Sequence, residues 1–71
     1  MYLKRLKDLR EDKDLYQKDV AKMLNISQQY YSEYETGKRS IPIEILVILA
    51  NYYEVSCDYI LNRTDNKNIN K

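Results

Sequence analysis

The sequence predicts an all-α domain of five short helices. Apolar residues recur at three- and four-residue spacing through most of the chain, the signature of amphipathic helix. A single glycine is present, fewer turn residues than β structure would want. Seventy-one residues, 44% of them hydrophobic, give one small domain near the lower limit for a core that stands without staples.

Residues 1 to about 13 read as the first helix. Leu3, Leu6 and Leu9 are spaced by threes, and Lys4, Arg5, Lys7, Asp8, Arg10, Glu11 and Asp12 fill a solvated outer surface. Asp14-Leu15-Tyr16 is a short link in which Leu15 plugs the core. Gln17 opens the second helix, and Asp19 in its first turn suits the positive end of the helix dipole. Val20, Ala21 and Leu24 share its apolar face, with small Ala21 where the next helix must approach closely.

Asn25 falls at the turn, since after glycine it best tolerates the left-handed backbone conformation. Ile26 turns inward and Ser27 caps the third helix, about 27–35, through its hydroxyl. Gly37 terminates that helix and Lys38-Arg39-Ser40 follows as a basic loop. Pro42 is expected in the first turn of the fourth helix, where its missing N–H does no harm. Ile43, Leu46, Val47, Leu49, Ala50 and Tyr53 then form an apolar stripe broad enough for a central buried helix. Ser56 caps a fifth helix, about 57–62, with Asp58 in its first turn. The end of the chain is polar, without periodicity, and is expected to fray. No internal repeat or linker divides the chain, so one domain over 6–61 with a disordered polar tail over 62–71 is expected.

Composition narrows the function classes. No apolar run reaches the ~18 residues of a membrane span, and no export signal opens the chain. Cys57 is the only cysteine and histidine is absent, so neither an intramolecular disulfide nor a Cys/His zinc site is available. A reduced, cytoplasmic setting fits, with Cys57 a small hydrophobe at a helix start rather than a redox-sensing thiol. Without histidine, a Gly-rich phosphate loop or a metal-ligand cluster, neither an enzyme nor a cofactor is expected. The net charge of +1 is a weak pointer to nucleic acid, so the placement of the twelve basic and eleven acidic residues must decide.

The third helix carries the functional signal. Ser27, Tyr30, Tyr31 and Tyr34 recur at helical spacing, which leaves Gln28, Gln29, Ser32 and Glu33 together on the opposite face. An amide-topped helix braced by a second helix across a tight turn is the helix-turn-helix device. Glutamine offers a donor and an acceptor on one planar group, matching the N6/N7 edge of adenine in the major groove. Gln17 would lie near a phosphate, where its amide and the helix N-terminal N–H groups both donate. Lys18, Lys38 and Arg39 flank the surface and add salt-sensitive phosphate attraction. Tyr30 borders the polar face, with a thymine methyl or a phosphate oxygen as its neighbour, and Ser27 at the helix start completes the candidate DNA contacts, whereas Tyr31 and Tyr34 read as packing. Glu33 is open between accepting from cytosine N4 and repelling the backbone.

The segments LKDLRED, QKDVAKMLNISQQYYSEYETGKR and IPIEILVILANYYEVSCDYIL together resemble the Cro/cI-type (lambda-repressor-like, xenobiotic-response-element-like) helix-turn-helix family of phage and bacterial regulators. The resemblance covers about 6–61. It implies five helices, DNA binding through the third, and a two-fold dimer on a pseudo-palindromic operator. By position, Gln17 matches the family's phosphate-contacting helix start, and Gln28, Gln29, Tyr30, Ser32 and Glu33 its base-reading and adjoining positions. Lys38 and Arg39 match its backbone-contacting loop, and Arg10 and Glu35 an ion pair tying the first helix to the end of the third. The chain departs in having Tyr16 where serine usually caps the second helix, Asp14 and Asn25 at common glycine positions, and a tyrosine-rich recognition helix.

The resulting expectation is a sequence-specific double-stranded DNA-binding transcriptional regulator, a repressor, acting as a homodimer. Tyr53, Val55, Ile60 and Leu61 are candidates for the dimer contact or for the core. Two alternatives stand beside it. The same fold serves as a protein-interaction module, such as the antitoxin of a toxin–antitoxin pair, if the face around Gln28 is neutral or acidic. The chain is otherwise the N-terminal half of a larger repressor and binds weakly as a monomer.

Overall fold

One side chain from each of five helices is fully buried, and these five meet in a single cluster: Leu6, Val20, Tyr31, Leu49 and Ile60. The computed structural model describes residues 2–66. Its helices are α1 (Lys4–Asp12), α2 (Gln17–Leu24), α3 (Gln28–Thr36), α4 (Ile43–Tyr53) and α5 (Cys57–Ile60), with no strand among the described residues. Each aliphatic side chain so buried contributes roughly 1.5–3 kcal/mol. A chain of this size has few such contributions, so each matters.

Several boundaries differ from expectation for visible reasons. The first helix begins at Lys4 because the Leu3 N–H donates to the Glu35 carbonyl at 3.0 Å, which holds residues 2–3 against the end of α3. Pro42 is the N-cap of α4 rather than a first-turn residue, with ψ 147°. The fifth helix stops at Ile60, and Asn62 follows with φ 64°. The Tyr16 side chain makes no capping bond; its carbonyl accepts from the Asp19 N–H at 3.0 Å and its own N–H donates to the Asp19 carboxylate at 2.9 Å, which closes the start of α2.

The α2–α3 turn follows the sequence closely. Asn25 is left-handed at φ 59°, ψ 41°, and the Ile26 N–H donates to the Ala21 carbonyl at 3.0 Å. The Ser27 hydroxyl accepts from the Tyr30 N–H at 3.0 Å, and Gly37 ends α3 at φ 84°. Ala21 is buried where α2 meets α3. Ala21→Val is therefore expected to cost about 1–3 kcal/mol. At roughly 4–8 °C per kcal/mol for a domain of this size, a thermal melt resolves it; an unchanged melting temperature would mean the two helices are not in close contact there.

Two expectations about packing are corrected. In α4 the buried residues are Leu46, Leu49, Ala50 and Tyr53, while Ile43 and Val47 are exposed. A six-residue stripe spans more of the helix circumference than one core can cover, and its edge lies in solvent. In α1, Arg10 is buried and Arg5 is half-buried rather than solvated. Arg5 donates to the carbonyls of Tyr59 and Thr64 and to Asp65, and stacks over the Tyr59 ring. Of the polar 62–71 segment, residues 62–66 are thus held beside α1, and 67–71 lie outside the described residues.

The core encloses the hydroxyl of Tyr31, beside the Glu35 carboxylate, and that of Tyr53, which has no hydrogen-bond partner among the described residues. Burial first, then the Glu35 carboxylate, pushes the Tyr31 phenol far above its ordinary value, and burial pushes Tyr53 up to about 12. Both are raised above the ~10 of an unfolded tyrosine, so folding holds them neutral. Their stabilisation is complete below about pH 10 and is lost as pH climbs through the folded values. Melting temperature should accordingly fall above about pH 10. Tyr53→Phe should soften that fall while changing stability little at neutral pH, because it deletes an unpaired buried hydroxyl. Thermal melts of both proteins across the alkaline range are the check.

Candidate nucleic-acid interface

Tyr31 and Tyr34 anchor α3 in the core, and this fixes which face turns outward. Gln28 and Gln29 are exposed at its N-terminal end, and Ser32 and Glu33 are half-buried behind them. Three adjoining hollows run along this side. The central one is lined by Gln17, Gln28, Gln29, Ser32, Glu33, Thr36 and Lys38. Gln17 and Gln28 continue it towards Tyr16, Lys18 and Arg10, and Gln29 and Glu33 continue it towards Ser27, Tyr30 and Arg39. All ten residues singled out from the sequence border this one surface. Reading the sequence passed over Thr36, although its spacing from Ser32 and Glu33 puts it on the same face. Its hydroxyl donates to the Ser32 carbonyl at 2.9 Å.

Glu33 is committed inside the protein. Its carboxylate accepts from Arg39 Nε at 2.9 Å and from Gln29 Nε2 at 3.2 Å. Arg39, then Gln29, hold that carboxyl below the usual carboxylate range. The Arg39 guanidinium lies 4.6 Å from the Tyr30 ring centroid, and the Arg39 backbone N–H donates to the Glu33 carbonyl at 3.2 Å. Gln29, Tyr30, Glu33 and Arg39 therefore form one braced unit. With one amide N–H on Glu33, Gln29 retains its oxygen and its second N–H for an outside partner.

A second, buried unit sets the far edge. Arg10 Nε and Nη2 donate to the two Glu35 oxygens at 3.0 and 3.1 Å, and Arg10 Nη1 donates to the Leu15 carbonyl at 2.8 Å. Gln17 Nε2 donates to Glu35 Oε1 at 3.2 Å. Paired with Glu35, the Arg10 guanidinium holds its proton more tightly than usual. The network joins α1, the start of α2 and the end of α3, so the half-buried Gln17 is positioned by Glu35. One amide N–H and the backbone N–H groups of Gln17 and Lys18 remain for an anion, the Asp19 N–H being taken by the Tyr16 carbonyl.

Charge around the amides is modestly basic. Arg39 is offset by Glu33, but among the described residues Lys18 and Lys38 form no ion pair, and Lys18 Nζ sits over the exposed Tyr16 ring. Among the described residues no helix is long and apolar enough to cross a membrane.

The model of a helix-turn-helix family matches residues 6–60. The chain belongs to the Cro/cI-type helix-turn-helix family. YobD, an uncharacterized HTH-type transcriptional regulator of Bacillus subtilis strain 168, is 42% identical over 65 residues, covering 92% of this chain and 58% of its own length. ImmR, an HTH-type transcriptional regulator of the same strain, is 40% identical, covering 96% of this chain and 61% of its own length. RstR, the cryptic phage CTXphi transcriptional repressor of Vibrio cholerae, is 34% identical over 55 residues, 78% of this chain and 50% of the repressor. The chain thus spans about three-fifths of the Bacillus regulators it resembles. No solved structure gives a significant match. For this helix-turn-helix domain, membership agrees with a DNA-binding regulator rather than an enzyme.

Proposed function

We propose that this helix-turn-helix domain is a sequence-specific, double-stranded DNA-binding transcriptional regulator, a repressor of the cytoplasm, that reads the major groove with α3. The observation that carries this reading is the exposure of Gln28 and Gln29 on a helix whose opposite face is locked into the core by Tyr31 and Tyr34. A helix so held presents planar amides at a fixed height, which base reading requires. In this reading Gln17 and Lys18 at the start of α2, and Lys38 after α3, take the phosphates. The uncompensated lysines favour a polyanion over the protein partner of an antitoxin.

One domain reads a half-site, so two copies acting as a homodimer on a pseudo-palindromic operator supply the affinity, with centres about one duplex turn (~34 Å) apart. Selection of bound fragments from a random DNA pool tests this. An enriched inverted repeat is the expected result; a pool that stays random at every salt concentration would refute the reading.

A further inference from the structure

The outer face of α4 carries four exposed apolar side chains that no described element covers. Ile48 (50% exposed) and Tyr52 (41%) line one edge of it, Ile43 (62%) and Val47 (42%) the other, and exposed Glu44 and Asn51 run between them. Four such side chains on one helix are more than the singly scattered hydrophobics of an ordinary surface. None of these residues borders the surface around α3. Of the other apolar candidates for self-contact, Tyr53, Val55 and Ile60 are buried and Leu61 is half-buried against the core.

The face is also polarised along its length. Glu44 stands near its N-terminal end. At the other end Lys13 Nζ lies 5.6 Å from the Tyr52 ring centroid. Neither Glu44 nor Lys13 forms an ion pair among the described residues. Glu44, Ile48 and Tyr52 follow one another at four-residue intervals and make a single ridge. Laid antiparallel across a second copy, this ridge meets itself: Ile48 opposes Ile48, and Glu44 reaches Lys13 and Tyr52 of the other copy. Side by side in the parallel sense, Glu44 would face Glu44 and Lys13 would face Lys13, so charge selects the antiparallel arrangement.

We propose that this face joins two copies of the chain, α4 antiparallel to α4, with Ile48 on the two-fold axis. The inference rests on the dimeric reading above and names its surface. The patch is smaller than the ~800 Å² per partner of a standard interface, so the free dimer is weak, and a DNA molecule with two half-sites assembles it.

Cysteine cross-linking tests the register. In a Cys57→Ser background, mild oxidation at about 100 µM should convert most Ile48→Cys chains to a covalent dimer, since residues on the axis meet within disulfide reach. Glu44→Cys alone should not cross-link, whereas Glu44→Cys mixed with Tyr52→Cys should. Ile48→Cys yields no greater than those of Glu44→Cys alone would overturn the proposal. In sedimentation, Glu44→Lys and Lys13→Glu should each weaken self-association several-fold, and the double variant should restore it; a double variant as weak as the singles would also overturn it. A cross-linked Ile48→Cys dimer that ignores the selected DNA would count against α3 as the reader and leave this interface standing. DNA binding without cross-linking would count against the interface alone.

Discussion

Replacing Glu35 by alanine should leave the chain largely unfolded at ordinary temperature. Glu35 is 2% exposed and holds two donors of Arg10 and one of Gln17. Without it the buried guanidinium keeps only the Leu15 carbonyl, and an uncompensated buried charge costs about 3–5 kcal/mol. Small domains sit at the low end of the usual ~5–15 kcal/mol of stability, so such a loss takes most of what there is. Urea titration followed by circular dichroism measures it. The pair Arg10→Met with Glu35→Leu should recover most of the loss, because both charges leave together. A single-variant cost under about 1 kcal/mol would instead describe a solvated pair.

How far the sequence foretold this arrangement depends on whether a residue's fate is set locally. The turn at Asn25, the caps at Ser27 and Ser56 and the stop at Gly37 each follow from the backbone preferences of one residue, and each appears where expected. The fate of Arg10 is not local. Helical spacing puts it among charged neighbours on a solvated surface, and only the family resemblance pairs it with Glu35, 25 positions away. Ile43 and Val47 fail for a related reason: periodicity finds an apolar arc but not how much of it other helices reach. Glu33 was undecided because its partners, Gln29 and Arg39, sit in a helix and in the loop beyond it, and the loop's path decides whether they meet. Most side chains that border the surface around α3 are legible in the helical spacing, Thr36 excepted, whereas the bonds from Gln29 and Arg39 to Glu33 are not.

That division sets the last expected result, on DNA. Gln29→Ala should weaken binding to the selected operator by about 1–3 kcal/mol, roughly 5- to 150-fold, and blur the base choice at the position it reads. Gln28→Ala should do the same at a neighbouring position. Binding to random DNA should scarcely change in either, since amides contribute little to phosphate attraction. Lys38→Ala should act oppositely, weakening all sequences alike and reducing the salt slope by about 1. Glu33→Gln separates positioning from contact. It removes a negative charge beside the duplex and frees Arg39 from its 2.9 Å ion pair, so affinity for random DNA should rise. It also weakens the hold on Gln29, so preference for the operator base should fall. Competition binding with operator and random fragments reads both quantities in one titration. If Glu33 instead accepted directly from cytosine, its loss would lower operator affinity at a base of its own and leave the position read by Gln29 untouched.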